Sequence, residues 1–287
     1  MRILLTGRNG QVGWELERKL APLGEVIATD RATLDLADPD AIRRRVREAK
    51  PQIIVNAAAY TAVDHAESEP ELAMQINGIA PGILAEEAKR LGALLVHYST
   101  DYVFDGTKPG PYVENDLPAP ANLYGKSKLA GEQAVRSPGC RHVVLRTSWV
   151  YGARGKNFLL TVLRLAAERP ELRIVADQVG APTWCRALAE ATARIILRAL
   201  DDSSTHGLYH ATNGGETSWF GFAVEILRMA AIDTPVIPIT TPEYPTPAVR
   251  PANSRLDNTR LRSAFGLSLP DWHSSLAGCM KDVLRSV

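Results

Sequence analysis

The stretch LLTGRNGQVGWEL, residues 4–16, sets Gly7, Gly10 and Gly13 three apart between an apolar run and an amphipathic one. A strand that ends on glycine, turns at once and enters a helix is the opening of a βαβ unit. The spacing is looser than the tightest dinucleotide fingerprint, yet it meets the same needs. It allows a sharp turn, lets the backbone approach a pyrophosphate closely, and aims a helix N-terminus at its charge. A glycine-rich turn can also stand in a fold without any ligand, so the residues that follow must decide.

Downstream, short apolar runs alternate with amphipathic stretches. Strands are expected at residues 2–5, 25–29, 53–55, 94–98 and 142–145, with helices at 11–20, 40–49, 71–91 and 124–135 between them. The strands are apolar throughout rather than alternating, as in a parallel sheet covered on both faces. The rhythm loosens after about residue 151. Helices are expected at 158–168, 187–200, 218–231 and 272–284, and the proline-rich run TPEYPTPAVRP (241–251) as loop. The fold class is therefore α/β, a doubly wound parallel sheet. Residues 1–150 form the nucleotide-binding part and 151–287 mainly a smaller substrate-binding lobe over the carboxyl edge of the sheet, with some later segments rejoining the first part.

A length of 287 residues allows a large core, and 45% hydrophobic with 23% charged residues is ordinary for a globular chain. A formal charge of +1 offers no footprint for nucleic acid or an anionic membrane, so neither is expected as a partner. The glycines come too early for a secretory signal, and no run is long enough to span a bilayer. Cys140, Cys185 and Cys279 lack metal-ligand spacing and read as buried or half-buried thiols of a cytoplasmic protein.

Two features answer the glycine loop. Asp30 ends the second strand, where a carboxylate can accept the ribose hydroxyl of NAD; Arg31 beside it can pair with the 2′-phosphate of NADP. Side by side they leave NADH and NADPH both open. Further on, LLVHYSTDYVF (94–104) brings Ser99, Thr100, Asp101 and Tyr102 to the carboxyl end of a strand, where a substrate would sit. Tyr124 and Lys128 stand four apart on one helix face. Reduction of a ketone by hydride leaves an alkoxide that must be protonated. A phenol serves if a neighbouring ammonium eases its ionisation, and a threonine hydroxyl can hold the developing oxyanion.

The order of glycine loop, acid, NAAAYT, STDYVF and Y-x-x-x-K resembles the extended short-chain dehydrogenase/reductase family, whose fold is Rossmann-type. IIVNAAAYTAVDHAESEPELA, VHYSTDYVFDG, YGKSKLAGE, LRTSWVYG, DQVGAPT and PTPAVRPANSRLD narrow the resemblance to its dTDP-4-dehydrorhamnose reductases along nearly the whole chain. The resemblance implies reduction of the C4 ketone of dTDP-4-dehydro-β-L-rhamnose to dTDP-L-rhamnose with NADPH or NADH. It implies Tyr124 as proton donor, Lys128 as modulator and ribose ligand, and Thr100 polarising the carbonyl. Asn9, Gly10, Gln11 and Val12, with Gly7, would hold the pyrophosphate and Asp30 the adenosine ribose. Asp35 and Leu36 would meet the adenine, and Ala59, Tyr60, Thr61 and Tyr98 the nicotinamide side. Asp101, Tyr102 and Trp149 would touch the sugar and Arg250 the diphosphate of the dTDP-sugar substrate.

Some members of this family are dimers bridged by magnesium through acidic side chains. Glu15 fits that pattern, but Trp184, Cys185 and Arg186 stand where a second acid is wanted. No metal is therefore expected, and the assembly is a monomer or a homodimer. A non-catalytic cofactor-binding regulatory subunit would lack the Tyr, Lys and Thr set, which is present here. An epimerase on the same scaffold, or a reductase for a different nucleotide sugar, is the other reading, whereas a dehydratase would place a glutamate after Asp101, where this chain has Tyr102.

Overall fold

The structure, a computed structural model, describes residues 1–285. Five strands, β1 (Arg2–Thr6), β2 (Glu25–Thr29), β3 (Ile53–Asn56), β4 (Leu94–Thr100) and β5 (Arg141–Thr147), are joined by the strand Gly207–His210. They form one sheet in the order β2-β1-β3-β4-β5 and then 207–210, with every pair parallel. The order reverses at β1, so the carboxyl ends of β1 and β3 flank a topological switch point, where open α/β sheets take their ligands.

The helices run α1 (Gln11–Leu20), α2 (Pro39–Ala49), α3 (Pro70–Met74), α4 (Ala80–Leu91), α5 (Leu123–Arg136), α6 (Phe158–Glu168), α7 (Cys185–Asp201), α8 (Trp219–Ala230), α9 (Thr259–Phe265) and α10 (Trp272–Arg285). On one face of the sheet Leu16 and Leu20 of α1 and Leu188, Ile195 and Ile196 of α7 pack on Ile3, Leu5, Val96 and Leu145. On the other, Ile42 and Val46 of α2 and Ile83 and Leu84 of α4 pack on Leu4, Ile54, Leu95 and Val144. Strand residues bury both faces, which is why they show no polar alternation.

The boundaries expected from periodicity hold closely, with α1 and α6 as anticipated. Three features differ. The helix expected over 71–91 contains a π-helical segment, Gln75–Ile79, between α3 and α4. β4 and β5 each extend two residues further, to Thr100 and Thr147; the polar residues there are buried, and Ser99 and Arg146 are both satisfied by Glu132. The sheet also takes its last strand and α7 from the second half of the chain. The remainder of that half builds a second core from α6, α8 and α10, and the parallel pair 172–175 and 236–239 lies beside it.

Cys140, Cys185 and Cys279 are free and buried, and His97 and His142 bond to Asn56 and to the Cys140 carbonyl. Tyr98 crosses the first core to share a hydrogen bond with Thr192 of α7 at 2.6 Å. Thr192 also donates to the Leu188 carbonyl, so removing the phenol hydroxyl orphans nothing. Tyr98→Phe is expected to lower unfolding free energy by about 1 kcal/mol in denaturant melts, with cofactor affinity unchanged.

Candidate active site

At the switch point the glycine loop is shaped by contact. Gly7 has φ +76°, and a Cβ there would lie 2.8 Å from the backbone of Ala58 in the loop after β3. A Cβ on Gly13 would fall 2.0 Å from the Gly7 carbonyl. These contacts bring two strand ends together and leave Gly10 as the N-cap of α1 with no side chain over the first N–H groups. Uncapped donors at a helix start suit a phosphate. Gln11 reaches the Asn157 amide at 2.9 Å and Asn9 reaches Asp30 at 3.2 Å, so the loop is braced on both sides.

The Asp30 carboxyl is held below its usual range, chiefly by the Thr33 hydroxyl and amide, and stays ionised at the cleft rim. Arg31 is largely exposed and only loosely paired with Asp35 at 3.8 Å. The side chain of Leu36 belongs to the core. The ring of Tyr98 is likewise spent in the core; its carbonyl, not its phenol, faces the cleft helix.

Helix α5 carries the expected pair. Asn122 caps it by accepting from Gly125 N–H at 2.8 Å. Tyr124 and Lys128 are 9% and 2% exposed, and Lys126 between them is exposed to solvent. The Lys128 ammonium donates to the Tyr98 carbonyl at 2.6 Å, one of its three N–H donors. Burial lowers its pKa to about 8, with Glu132 acting the other way.

The Tyr124 phenol stands beside Thr100, yet its pKa is raised rather than eased downward. Burial is the main cause and the charge of Asp101 the next. Thr100 donates to Asp101 at 3.0 Å, and burial raises Asp101 to about 6. Its Oδ2 is buried without a hydrogen-bond partner. The Tyr102 ring meets the Tyr124 ring edge-on at 5.5 Å.

The second lobe closes this site with a strap, residues 248–254. Asn122 donates to the Val249 carbonyl at 2.8 Å, and Ser254 lies beside Asp101. Arg250 pairs with Asp64 at 2.7 Å, so the guanidinium expected at a diphosphate is engaged across the cleft. Trp149 has φ +49° and stacks on Trp219 at 3.6 Å. Left-handed backbone at a tryptophan costs about 1–3 kcal/mol and persists where surrounding structure enforces it. Trp219 and Asp64 were not anticipated.

Nor was Asn77, in the π-helical segment. It accepts from Tyr60 N–H and donates to the Tyr60 carbonyl, both at 2.9 Å, and donates to Ser127 of α5 at 3.0 Å. It thereby clamps the loop holding Ala59, Tyr60 and Thr61 to the helix holding Tyr124. A single asparagine inside an apolar helical pattern was the only signal. Elsewhere, Glu15 accepts from Arg186 at 3.2 Å and Arg186 meets Asp282 at 2.8 Å, so a guanidinium occupies the place next to Glu15.

The family model described as RmlD substrate binding domain matches residues 1–285. A dTDP-4-dehydrorhamnose reductase of Burkholderia thailandensis is 52% identical, over 99% of each chain. The chain belongs to the dTDP-4-dehydrorhamnose reductase family. Another member, from Escherichia coli, is 48% identical over 100% of this chain and 99% of its own. The crystal structure of the dTDP-4-dehydrorhamnose reductase of Bacillus anthracis in complex with NADP superposes with a TM-score of 0.93 at 39% identity, covering 98% of this chain and 99% of that one. The Rossmann-type sheet and the second lobe are thus those of dTDP-4-dehydrorhamnose reductases. Gly13→Ala is expected to abolish dinucleotide binding in fluorescence titration while the far-ultraviolet circular dichroism keeps its helical signal, since the clash falls on the loop and not on the core.

Proposed function

We propose that this protein reduces the C4 ketone of dTDP-4-dehydro-β-L-rhamnose to dTDP-L-rhamnose, the last step of dTDP-L-rhamnose biosynthesis. The observation that carries the reading is the set Thr100, Tyr124 and Lys128 at the carboxyl edge of β4, beside a glycine cradle closed by Gly7 and Gly13. NADPH or NADH fits that cradle, and it supplies the hydride. Gly7, Asn9, Gly10, Gln11 and Val12 would hold its pyrophosphate, Asp30 or Arg31 its adenosine ribose, and Lys128 the second ribose.

The chain's own groups do the rest. The ketone oxygen lies against the Thr100 and Tyr124 hydroxyls. As the carbon gains hydride, the Tyr124 O–H bond breaks and its proton passes to that oxygen. Because Tyr124 stays protonated well above neutrality, it enters the reaction as an acid. Lys128, still charged below about pH 8, offsets the phenolate that forms. The unpartnered Asp101 Oδ2 suits a sugar hydroxyl, and the Trp149–Trp219 stack an apolar sugar face.

Among the described residues no helix is long and apolar enough to cross a membrane. The assembly is a monomer or a homodimer. Tyr124→Phe should cut turnover of the ketosugar, followed by nicotinamide absorbance, by about 10²–10⁴-fold with dinucleotide affinity within twofold of wild type. Turnover close to wild type would remove Tyr124 from the chemistry.

A further inference from the structure

Helix α5 is fixed to β4 at three successive turns. Tyr124 lies beside Thr100, Lys128 donates to the Tyr98 carbonyl, and Glu132, one turn further, accepts from the Ser99 hydroxyl at 2.5 Å. Glu132 is 3% exposed and takes two further bonds, from Arg146 Nε at 2.8 Å and Nη2 at 2.7 Å. Arg146, on β5, is itself 2% exposed, with its guanidinium 4.9 Å from the Phe104 ring centre. The pair therefore spans β4, β5 and α5 directly beneath the reactive groups.

A buried ion pair of this kind adds little stability over an apolar pair of equal size. Its position gives it another use. Lys128 and Glu132 are four apart on one helix face, with Ser99 and Tyr98 adjacent on the strand below. Facing Lys128 from β4 is the His97 ring, whose Nε2 has no partner and which burial keeps neutral. Arg146 approaches from β5, behind Glu132, and Asp101 and Tyr102 border Tyr124. From the α3–α4 side α5 meets the uncharged Asn77 amide and the small or apolar residues Gly78, Pro81 and Gly82. Glu132 is the anion that faces this lysine.

We propose that Glu132, held by Arg146 and Ser99, is a positioning residue that keeps Lys128 charged and seated on the Tyr98 carbonyl. This rests on the assignment of Tyr124 and Lys128 as the reactive pair, and it adds a residue that touches neither substrate nor cofactor. Without the anion, burial alone governs Lys128, and the ammonium loses its proton at lower pH.

The test reads Lys128 directly in the free protein, so it does not depend on the substrate being right. With a carbon-13 label on the lysine ε-carbons, Lys128 is titrated by NMR in wild type, in Glu132→Gln, and in the double variant Glu132→Leu with Arg146→Met. The double variant removes Arg146 together with its partner, so no guanidinium is left unpaired in the core if the single variant unfolds. In each folded variant the Lys128 midpoint should fall by about one pH unit or more, and the alkaline limb of kcat/KM should move down with it. A folded variant whose midpoint matches wild type overturns the proposal. So does failure of both variants to fold, since the pair would then be structural alone.

Discussion

The buried contact of α5 with β4 and β5 is the constraint on which the site depends. Ionised side chains are rarely taken out of water, and Lys128, Glu132 and Arg146 are all nearly inaccessible. Removing one member of the Glu132–Arg146 pair would leave an unpaired buried charge, at a cost of about 3–5 kcal/mol. The pair, with the Lys128–Tyr98 and Asn77–Ser127 bonds, holds the helix on the sheet. Tyr124, two turns above Glu132, is then delivered to the end of β4 with little freedom. The hydroxyl of Thr100 and the phenol meet at the end of β4, above this pair and the Lys128–Tyr98 bond.

Around this fixed element the remaining parts are brought in by close packing. Gly7 lets the first loop touch Ala58, and Asn77 ties the loop after Ala58 to α5. The glycine loop and Tyr124 are thus linked through a few short contacts rather than through the bulk of the domain. From the other side the strap at 248–254 reaches Asp64, Asn122 and Asp101, so the second lobe is in contact with both. The Arg250–Asp64 pair lies partly open to solvent and contributes little on its own.

Much of this was legible from residue order. The extent of α1 follows from Gly10 and the stripe of Val12, Leu16 and Leu20, and the helical face shared by Tyr124 and Lys128 follows from spacing alone. What periodicity could not show has a common cause. The strand 207–210 is short and contains glycine and histidine, and it is a strand only because β5 offers it a parallel partner across more than sixty residues. Asn77 and Arg146 look misplaced in their apolar surroundings until the groups that satisfy them arrive from distant segments. Trp219 gains its meaning from Trp149, whose left-handed backbone is itself a tertiary effect. The direction of the Tyr124 shift also escaped prediction, since it comes from depth of burial and from Asp101 rather than from the lysine one turn away.

Whether this cleft reduces a ketosugar decides the role of every residue described in it. The most direct measurement incubates the purified protein with NADPH and dTDP-4-dehydro-β-L-rhamnose generated in situ, and follows both nicotinamide absorbance and the sugar product. Stoichiometric loss of NADPH with appearance of dTDP-L-rhamnose is the result predicted. Tight binding of the dinucleotide without its oxidation, with the ketosugar recovered unchanged, would contradict it.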